Sequence, residues 1–185
     1  KGKIMVDFND FINNHGTFGF SYNYGQHFPV GGSFNGSFED IPLMISIDFG
    51  INFDNDKHII DKVNMQDIMN YDREKKELDT KFFVTVTPQA YFNYFAIGCG
   101  FGFLYMDGTS DYTRYSSSSA SNTSASTSSS SNAYLIKPMI RPVIKGFIPF
   151  SYEDYYISIS VGYDWVLGYK KKNGFNVGIG IQCSL

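Results

Sequence analysis

The stretch Tyr155-Tyr-Ile-Ser-Ile-Ser-Val-Gly-Tyr-Asp-Trp-Val-Leu-Gly-Tyr169 alternates large apolar residues with small or polar ones. Its odd-numbered positions carry Tyr, Ile, Val, Trp and Leu, whereas most even-numbered positions carry Ser, Gly or Asp. Successive side chains of a β-strand point to opposite faces, so a period of two predicts a strand with one apolar face and one small, polar face. Residues 175–185 repeat the pattern after a turn that contains Asn173-Gly174, a hairpin signal.

Further segments with the same alternation precede this hairpin. They are predicted at residues 18–24, 29–38, 43–53, 82–92, 95–105 and 134–150. Their connections alternate in length. Tight turns are predicted at residues 39–40, 93–94 and 151–154, and the two longest loops at residues 55–80 and 107–132.

Tight turns at one rim and long loops at the other are typical of an even-numbered β-barrel in an outer membrane. We therefore expect an all-β fold, a closed eight-stranded antiparallel up-and-down transmembrane β-barrel. The barrel is predicted to occupy residues 15–185, and residues 1–14 are predicted to form an N-terminal tail or linker.

The face opposite the large apolar side chains separates a membrane barrel from a soluble one. A soluble, lipocalin-like ligand-binding barrel would show long charged side chains to water on that face. Here the face carries Gly98, Gly100, Gly102, Ser158, Ser160, Gly162, Gly178 and Gly180. Small residues suit the narrow interior of eight strands, and segments of about 9–11 residues suffice to cross a bilayer when tilted. The apolar face is therefore predicted to contact lipid.

Aromatic residues make up 18% of the chain and fall near the predicted strand ends. Membrane barrels carry an aromatic girdle at each membrane–water interface. The girdle at the tight-turn rim is predicted to contain Phe92, Phe95, Phe150 and Tyr155. The girdle at the long-loop rim is predicted to contain Tyr24, Tyr105, Tyr134, Trp165 and Tyr169.

Charged residues on the inner face are expected to pair, because an unpaired charge away from water is costly. The predicted network in the lumen, the interior of the barrel, comprises Asp48, Gln89, Tyr91, Lys137, Arg141, Lys145, Asp164 and Gln182. Two hypotheses follow, a polar plug that holds the barrel shut and a narrow ion path. The plug is favoured because eight-stranded barrels have interiors just wide enough for side chains.

The two long loops differ in composition. Residues 55–80 hold much of the charge, and a short helix is predicted around residues 62–71. Residues 116–131 form a serine tract, which cannot bury apolar surface and is predicted to be mobile. Within the predicted strands, Pro88, Pro138 and Pro142 each remove a backbone donor, so irregular pairing is expected there.

The sequence gives little sign of catalytic or cofactor chemistry. The net charge of -3 does not favour nucleic acid as a partner. Cys99 and Cys183 are predicted to be small apolar residues on the outer faces of strands that are not neighbours, so we expect neither a disulfide nor a metal site. No cofactor is expected. A catalytic role for His27 on a loop is the enzymatic alternative.

In its eight segments with alternating turn lengths, the chain resembles the small outer-membrane barrels of the OmpA/OmpX type. Residues 175–185 resemble that family's C-terminal assembly signal, although Leu185 stands where the family has an aromatic residue. Residues 81–88 and 146–150 are similar to barrel domains of Bacteroidetes-type outer-membrane proteins. The resemblance implies a place in the outer membrane of a Gram-negative bacterium.

Three functions are compatible with these features. The first is a non-enzymatic membrane anchor, scaffold or surface-interaction protein, with membrane lipids around the barrel and protein or glycan partners at the long loops. The alternatives are a lipid-modifying outer-membrane enzyme and the soluble ligand-binding barrel.

Overall fold

The computed structural model describes residues 17–24, 28–38, 41–53, 57–67, 70–92, 94–118, 123–149, 155–170 and 173–184. These residues form nine strands. The strands are β1 (Thr17–Tyr24), β2 (Val30–Ser37), β3 (Leu43–Ile51), β4 (Lys57–Asp67), β5 (Asn70–Phe92), β6 (Phe95–Ser118), β7 (Thr123–Pro149), β8 (Tyr155–Val166) and β9 (Gly174–Ser184). Within this part of the chain, no helix has the length and hydrophobicity to cross a membrane. The predicted tail, residues 1–14, lies outside the described residues.

The chain divides into two compact units. The first unit comprises Lys1–Phe53, Phe82–Leu104 and Lys137–Leu185, and the second comprises Asp54–Lys81 and Tyr105–Ile136. Strands β5, β6 and β7 contribute residues to both units.

The first unit is a closed, antiparallel β-barrel. Its strands follow the order β3-β2-β1-β9-β8-β7-β6-β5, and pairing of β3 with β5 closes the ring. The register of the closing pair runs without a shift from Leu43 opposite Ala90 to Ile51 opposite Phe82. The predicted eight-stranded barrel is therefore confirmed. It forms because each segment in which apolar residues alternate with small or polar ones pairs with a strand on both sides.

Burial alternates along the barrel strands as the sequence pattern predicts. In β3, Met44, Ser46 and Asp48 are buried inside the barrel, whereas Ile45 and Ile47 on the opposite face are exposed. Inward glycines let the strands pack around this narrow interior. At Gly102, for example, an added Cβ would collide with the backbone of Val84 on β5.

The second unit contains a strand that the sequence prediction missed. The expected loop with a helix around residues 62–71 is wrong, since β4 and the first half of β5 form an antiparallel hairpin there. Opposite charges face each other across this hairpin, as at Asp61 with Lys75 and Lys62 with Glu74. Cross-strand pairs of opposite charge stabilise such a ladder, so a charged segment becomes a strand without a buried face.

The serine tract also differs from the prediction. Strand β6 continues to Ser118 and β7 begins at Thr123, so most of the predicted loop is strand. Side chains at residues 125–132 are all exposed. The described part of the tract, residues 116–118 and 123–131, is therefore held by strand pairing, without burial of the side chains at residues 125–131.

The three strand prolines behave differently from one another. Pro88 lies within the unshifted register between β3 and β5, so the irregular pairing expected there is absent on the β3 side of the strand. Pro138 lies just beyond the residues at which β7 pairs with β8. Between Ile140 and Val143 the ladder of β7 and β8 is interrupted at Pro142, which confirms the prediction at that position.

Candidate functional site

The lumen of the barrel is the candidate site, because buried charged and amide side chains converge there. Asp48 on β3 and Lys145 on β7 form an ion pair, with Lys145 Nζ 2.5 Å from Asp48 Oδ1. Thr87 on β5 donates a hydrogen bond of 2.9 Å to the other carboxylate oxygen of Asp48. Both charged side chains are almost fully buried, so the attraction between them offsets the cost of removing each charge from water.

A second ion pair joins β7 to β8. Arg141 Nε lies 3.2 Å from Asp164 Oδ1, a charge contact without the geometry of a hydrogen bond. Arg141 also donates a 2.9 Å hydrogen bond to Asn176 Oδ1, and its guanidinium carbon lies 4.7 Å from the centre of the Phe83 ring. The guanidinium is thus held from three directions.

A chain of amide and hydroxyl groups crosses the lumen beside the ion pairs. Gln89 donates to Ser46 at 2.8 Å, and Ser46 in turn donates to Asn35. Asn35 donates to Gln182 at 3.2 Å and to Thr17 at 2.9 Å. These contacts link strands β5, β3, β2, β9 and β1 through side chains alone, so the polar interior ties the ring together.

Near the tight turns, an apolar cluster fills the lumen. It consists of Met44, Tyr91, Ala96, Phe147 and Tyr156, each at most 5% exposed. The sequence assigned Tyr91 to the polar network, but the structure places its ring in this cluster. Tyr91 lies only two residues after Gln89, on the same inner face but closer to the rim.

A small cavity lies beside the two ion pairs of the lumen. This cavity of about 30 Å³ is lined by Asp48, Arg141, Lys145, Ser158 and Gln182, among others. That volume suffices for roughly one water molecule. Lys137, predicted to belong to the network, is half-buried beside the turn at Gly168 and takes part in neither ion pair.

The predicted girdle residues other than Tyr169 lie on the outer surface of the first unit, in the second unit, or outside the described residues. Tyr24, Phe92, Phe95, Tyr155 and Trp165 are exposed on the outer surface of the first unit. Tyr134 is exposed and Tyr105 half-buried in the second unit, and Phe150 lies outside the described residues.

The prediction for Tyr169 is wrong. Tyr169 is 6% exposed, whereas Trp165 on the preceding strand is 53% exposed. Strand β8 ends at Val166, and Gly168 adopts a φ of 72° in the turn that follows. Because the alternation of side chains holds only within a strand, the turn brings Tyr169 inward.

The outer wall of the first unit is an apolar belt, which we define as its exposed outward-facing aliphatic and aromatic side chains. It includes Phe20, Phe34, Ile45, Ile47, Ile97, Phe101, Ile144, Ile148, Val161, Val177, Ile179 and Ile181. A surface of this kind, wrapped around a polar interior, is the reverse of a soluble barrel. Such a belt is the surface that closed barrels present to lipid.

The second unit has the opposite surface chemistry, with charge pairs in water. The Arg73 guanidinium, 2.6 Å from Asp61, lowers the pKa of that carboxyl group, and the hydrogen bond from Arg114 lowers the pKa of Asp72. Hydrogen bonds from Lys75 and Lys57 lower the pKa of Glu77. These carboxylates are therefore ionised at neutral pH.

Several lumen residues were not singled out from the sequence. They are Asn35, Ser46, Phe83, Thr87, Phe147, Tyr156 and Asn176. All lie on the inner face that the alternation defines, so the inner-face pattern was the available signal. The candidate catalytic His27 lies outside the described residues, and no group of three metal-ligating side chains occurs among those described. Cys99 and Cys183 are both free and half-buried.

No protein-family model matches the sequence, and no curated protein matches it. The solved structures that match in fold include the following three. The attachment invasion locus protein Ail of Yersinia pestis matches with a TM-score of 0.39 and 10% identity, over 92% of this chain and 97% of Ail. CarO of Acinetobacter baumannii matches with a TM-score of 0.41 and 11% identity, over 91% of this chain and 97% of CarO. The N-terminal β-barrel domain of OprF of Pseudomonas aeruginosa matches with a TM-score of 0.39 and 11% identity, over 94% and 98%.

The fold and its two faces define the chain as a transmembrane β-barrel of the outer-membrane type, with an apolar outer wall and a polar interior. With eight strands in the ring, it is one of the small barrels whose interior is filled by side chains.

Proposed function

We propose that the protein is a non-enzymatic, integral outer-membrane protein of a Gram-negative bacterium that serves as a membrane anchor or scaffold. The observation that carries this proposal is the filled lumen, in which ion pairs, an amide chain and an apolar cluster occupy the interior and the cavity beside the ion pairs measures about 30 Å³. A barrel filled in this way has no wide path for solutes. Its task then depends on its surfaces.

The apolar cluster supports the scaffold role over the narrow ion path. Polar lumen side chains can exchange their hydrogen bonds with water, whereas the apolar side chains of Met44, Ala96 and Phe147 offer a passing ion no comparable replacement for its hydration. We therefore assign the polar residues the role of a plug that holds the strands in register. The apolar cluster would complete the seal.

The second unit is the proposed surface for protein or glycan partners. Ile59, Val63 and Met65 on β4 are exposed despite being apolar, and Tyr71 stacks on Tyr115 with ring centres 4.4 Å apart. Apolar and aromatic side chains set among charge pairs are the composition from which binding surfaces are made. Membrane lipids are the proposed partners of the belt.

The architecture also supports kinship with small barrels of the OmpA/OmpX type and with Bacteroidetes-type barrel domains. The supporting features are the eight-stranded ring and the inward glycines and serines. The soluble ligand-binding alternative is disfavoured, because its ligand cavity would require an apolar interior.

Conductance in a planar lipid bilayer tests the sealed lumen. The protein is expected to produce no conductance steps above those of a protein-free bilayer. The double variant Tyr91→Ala with Tyr156→Ala removes two rings from the cluster, so it is expected to give small, discrete steps.

The double variant Phe92→Ala with Tyr155→Ala is the matched control. These residues neighbour Tyr91 and Tyr156 on the same strands but face outward, so this variant should produce no conductance steps. Steady, pore-sized steps from the unaltered protein would refute the scaffold proposal. If the Tyr91→Ala/Tyr156→Ala variant were folded but gave no conductance steps, the polar residues would be sufficient to close the lumen.

A further inference from the structure

An apolar groove interrupts the belt on the outer wall formed by β6, β7 and β8. Its volume is about 460 Å³, and its lining includes Phe95, Ile144, Gly146, Ile148, Ile159 and Val161. All of these residues belong to the first unit. The groove is thus a feature of the barrel wall.

The groove exists because Gly146 has no side chain on an otherwise bulky face. On β7 its outward neighbours Ile144 and Ile148 are 51% and 52% exposed, and Ile159 stands opposite it on β8. A Cβ placed at Gly146 would meet its nearest atom, on the Phe95 ring, only at 3.7 Å. The space is therefore open, unlike the space at inward glycines such as Gly102, where a Cβ would collide with backbone.

The shape of the groove suits a single extended chain. Its lining runs along β7 from Ile144 to Pro149, which corresponds to about 16 Å at the rise of a β-strand. It ends beside Tyr94 and Pro149, which adjoin predicted tight turns. In outer-membrane barrels the short turns face the periplasm, so the groove opens toward the periplasmic leaflet.

The chemistry of the lining excludes ordered water as the occupant. A water molecule needs two or more polar partners, and the side chains that line the groove are almost entirely apolar. The groove is also continuous with the belt, which already lies against hydrocarbon. We propose that it holds one acyl chain of a phospholipid from the periplasmic leaflet, retained longer than the lipid around the rest of the barrel. This inference rests on the membrane position of the belt and not on the scaffold role.

Photolabelling in lipid vesicles tests the proposal. The protein is reconstituted in phosphatidylethanolamine and phosphatidylglycerol with a trace of phosphatidylcholine that carries a diazirine on one acyl chain. After illumination, labelled peptides are mapped by mass spectrometry. Label is expected to be enriched severalfold at Ile148 and Ile159 relative to Phe34 and Ile47 elsewhere on the belt.

Two glycine variants make the test specific to the groove. Gly146→Leu fills it and is expected to reduce labelling of Ile148 and Ile159 severalfold. Gly36→Leu adds the same side chain to an exposed position on β2 that has no atom within 4 Å of the added Cβ, and should leave this labelling unchanged.

Four results would overturn the proposal. Even labelling around the belt, or labelling unaffected by Gly146→Leu, would remove the acyl-chain site but leave the membrane position intact. Absence of label from the whole belt would refute the membrane position itself. A photoreactive amino acid placed at Phe95 would detect a second copy directly. Crosslinks from it between two copies, lost in Gly146→Leu, would assign the groove to a second copy of this chain.

Discussion

Replacing Lys145 by alanine is expected to reduce the free energy of unfolding of the barrel by roughly 3–5 kcal/mol, the usual cost of removing one partner from a buried ion pair. Asp48 would keep its hydrogen bond from Thr87 but lose the charge that lies 2.5 Å away. Both side chains are buried inside the ring, so the loss of the ammonium group leaves the Asp48 carboxylate as a buried charge without its partner.

Urea unfolding in lipid vesicles measures this change, with the fluorescence of the single tryptophan, Trp165, as the signal. The double variant Asp48→Asn with Lys145→Met is expected to recover much of the loss, because it leaves no unpaired charge at either position. Lys57→Ala is the matched control, since Lys57 pairs with Glu77 at 3.0 Å on an exposed surface and should matter little. If Lys145→Ala proved no more harmful than Lys57→Ala, Lys145 would not lie in a closed interior.

Placing a lysine on the belt is expected to destabilise the barrel by roughly 2–4 kcal/mol near the bilayer midplane. Ile179 is the position of choice, because it lies mid-strand in β9 between Tyr22 of β1 and Ile159 of β8. Its side chain is 57% exposed, so in water the substitution Ile179→Lys would be almost harmless.

Ile59→Lys provides the comparison, since Ile59 on β4 is 55% exposed among the charge pairs of the second unit. The midpoint of urea unfolding should fall clearly for Ile179→Lys and hardly change for Ile59→Lys. Equal midpoints for the two variants would mean that both isoleucines face water, which contradicts a lipid-facing belt.

The barrel could be predicted from the sequence because its decisive signal is local. Each strand of the ring carries its own alternation, and β8 and β9 show it most clearly. Strand β4 lacks that signal, since none of its side chains at residues 57–66 is buried and its order comes from charges that meet only after pairing. Periodicity cannot reveal a strand of this kind.

The sequence predicts which residues face the lumen, but it does not predict which of them form ion pairs and hydrogen bonds with one another. Which aspartate meets Lys145 depends on the curvature of the ring, which brings β3 across the interior to β7 although the two strands are not neighbours. Where an inward residue lies along the barrel axis decides its surroundings, and this is why Tyr91 joins the apolar cluster. Tyr169 was misplaced because alternation was extended past the end of a strand.

The central claim, an apolar wall in lipid around a closed polar interior, is tested most directly by a nitroxide scan of β8, Tyr155–Val166. Single cysteines are introduced in a background without Cys99 and Cys183, and the protein is reconstituted in lipid vesicles. We predict that labels at odd positions collide with oxygen dissolved in the bilayer, whereas labels at even positions are shielded from oxygen and from a water-soluble nickel chelate. Odd positions open to the nickel chelate along the whole strand would place the apolar face in water and contradict the claim.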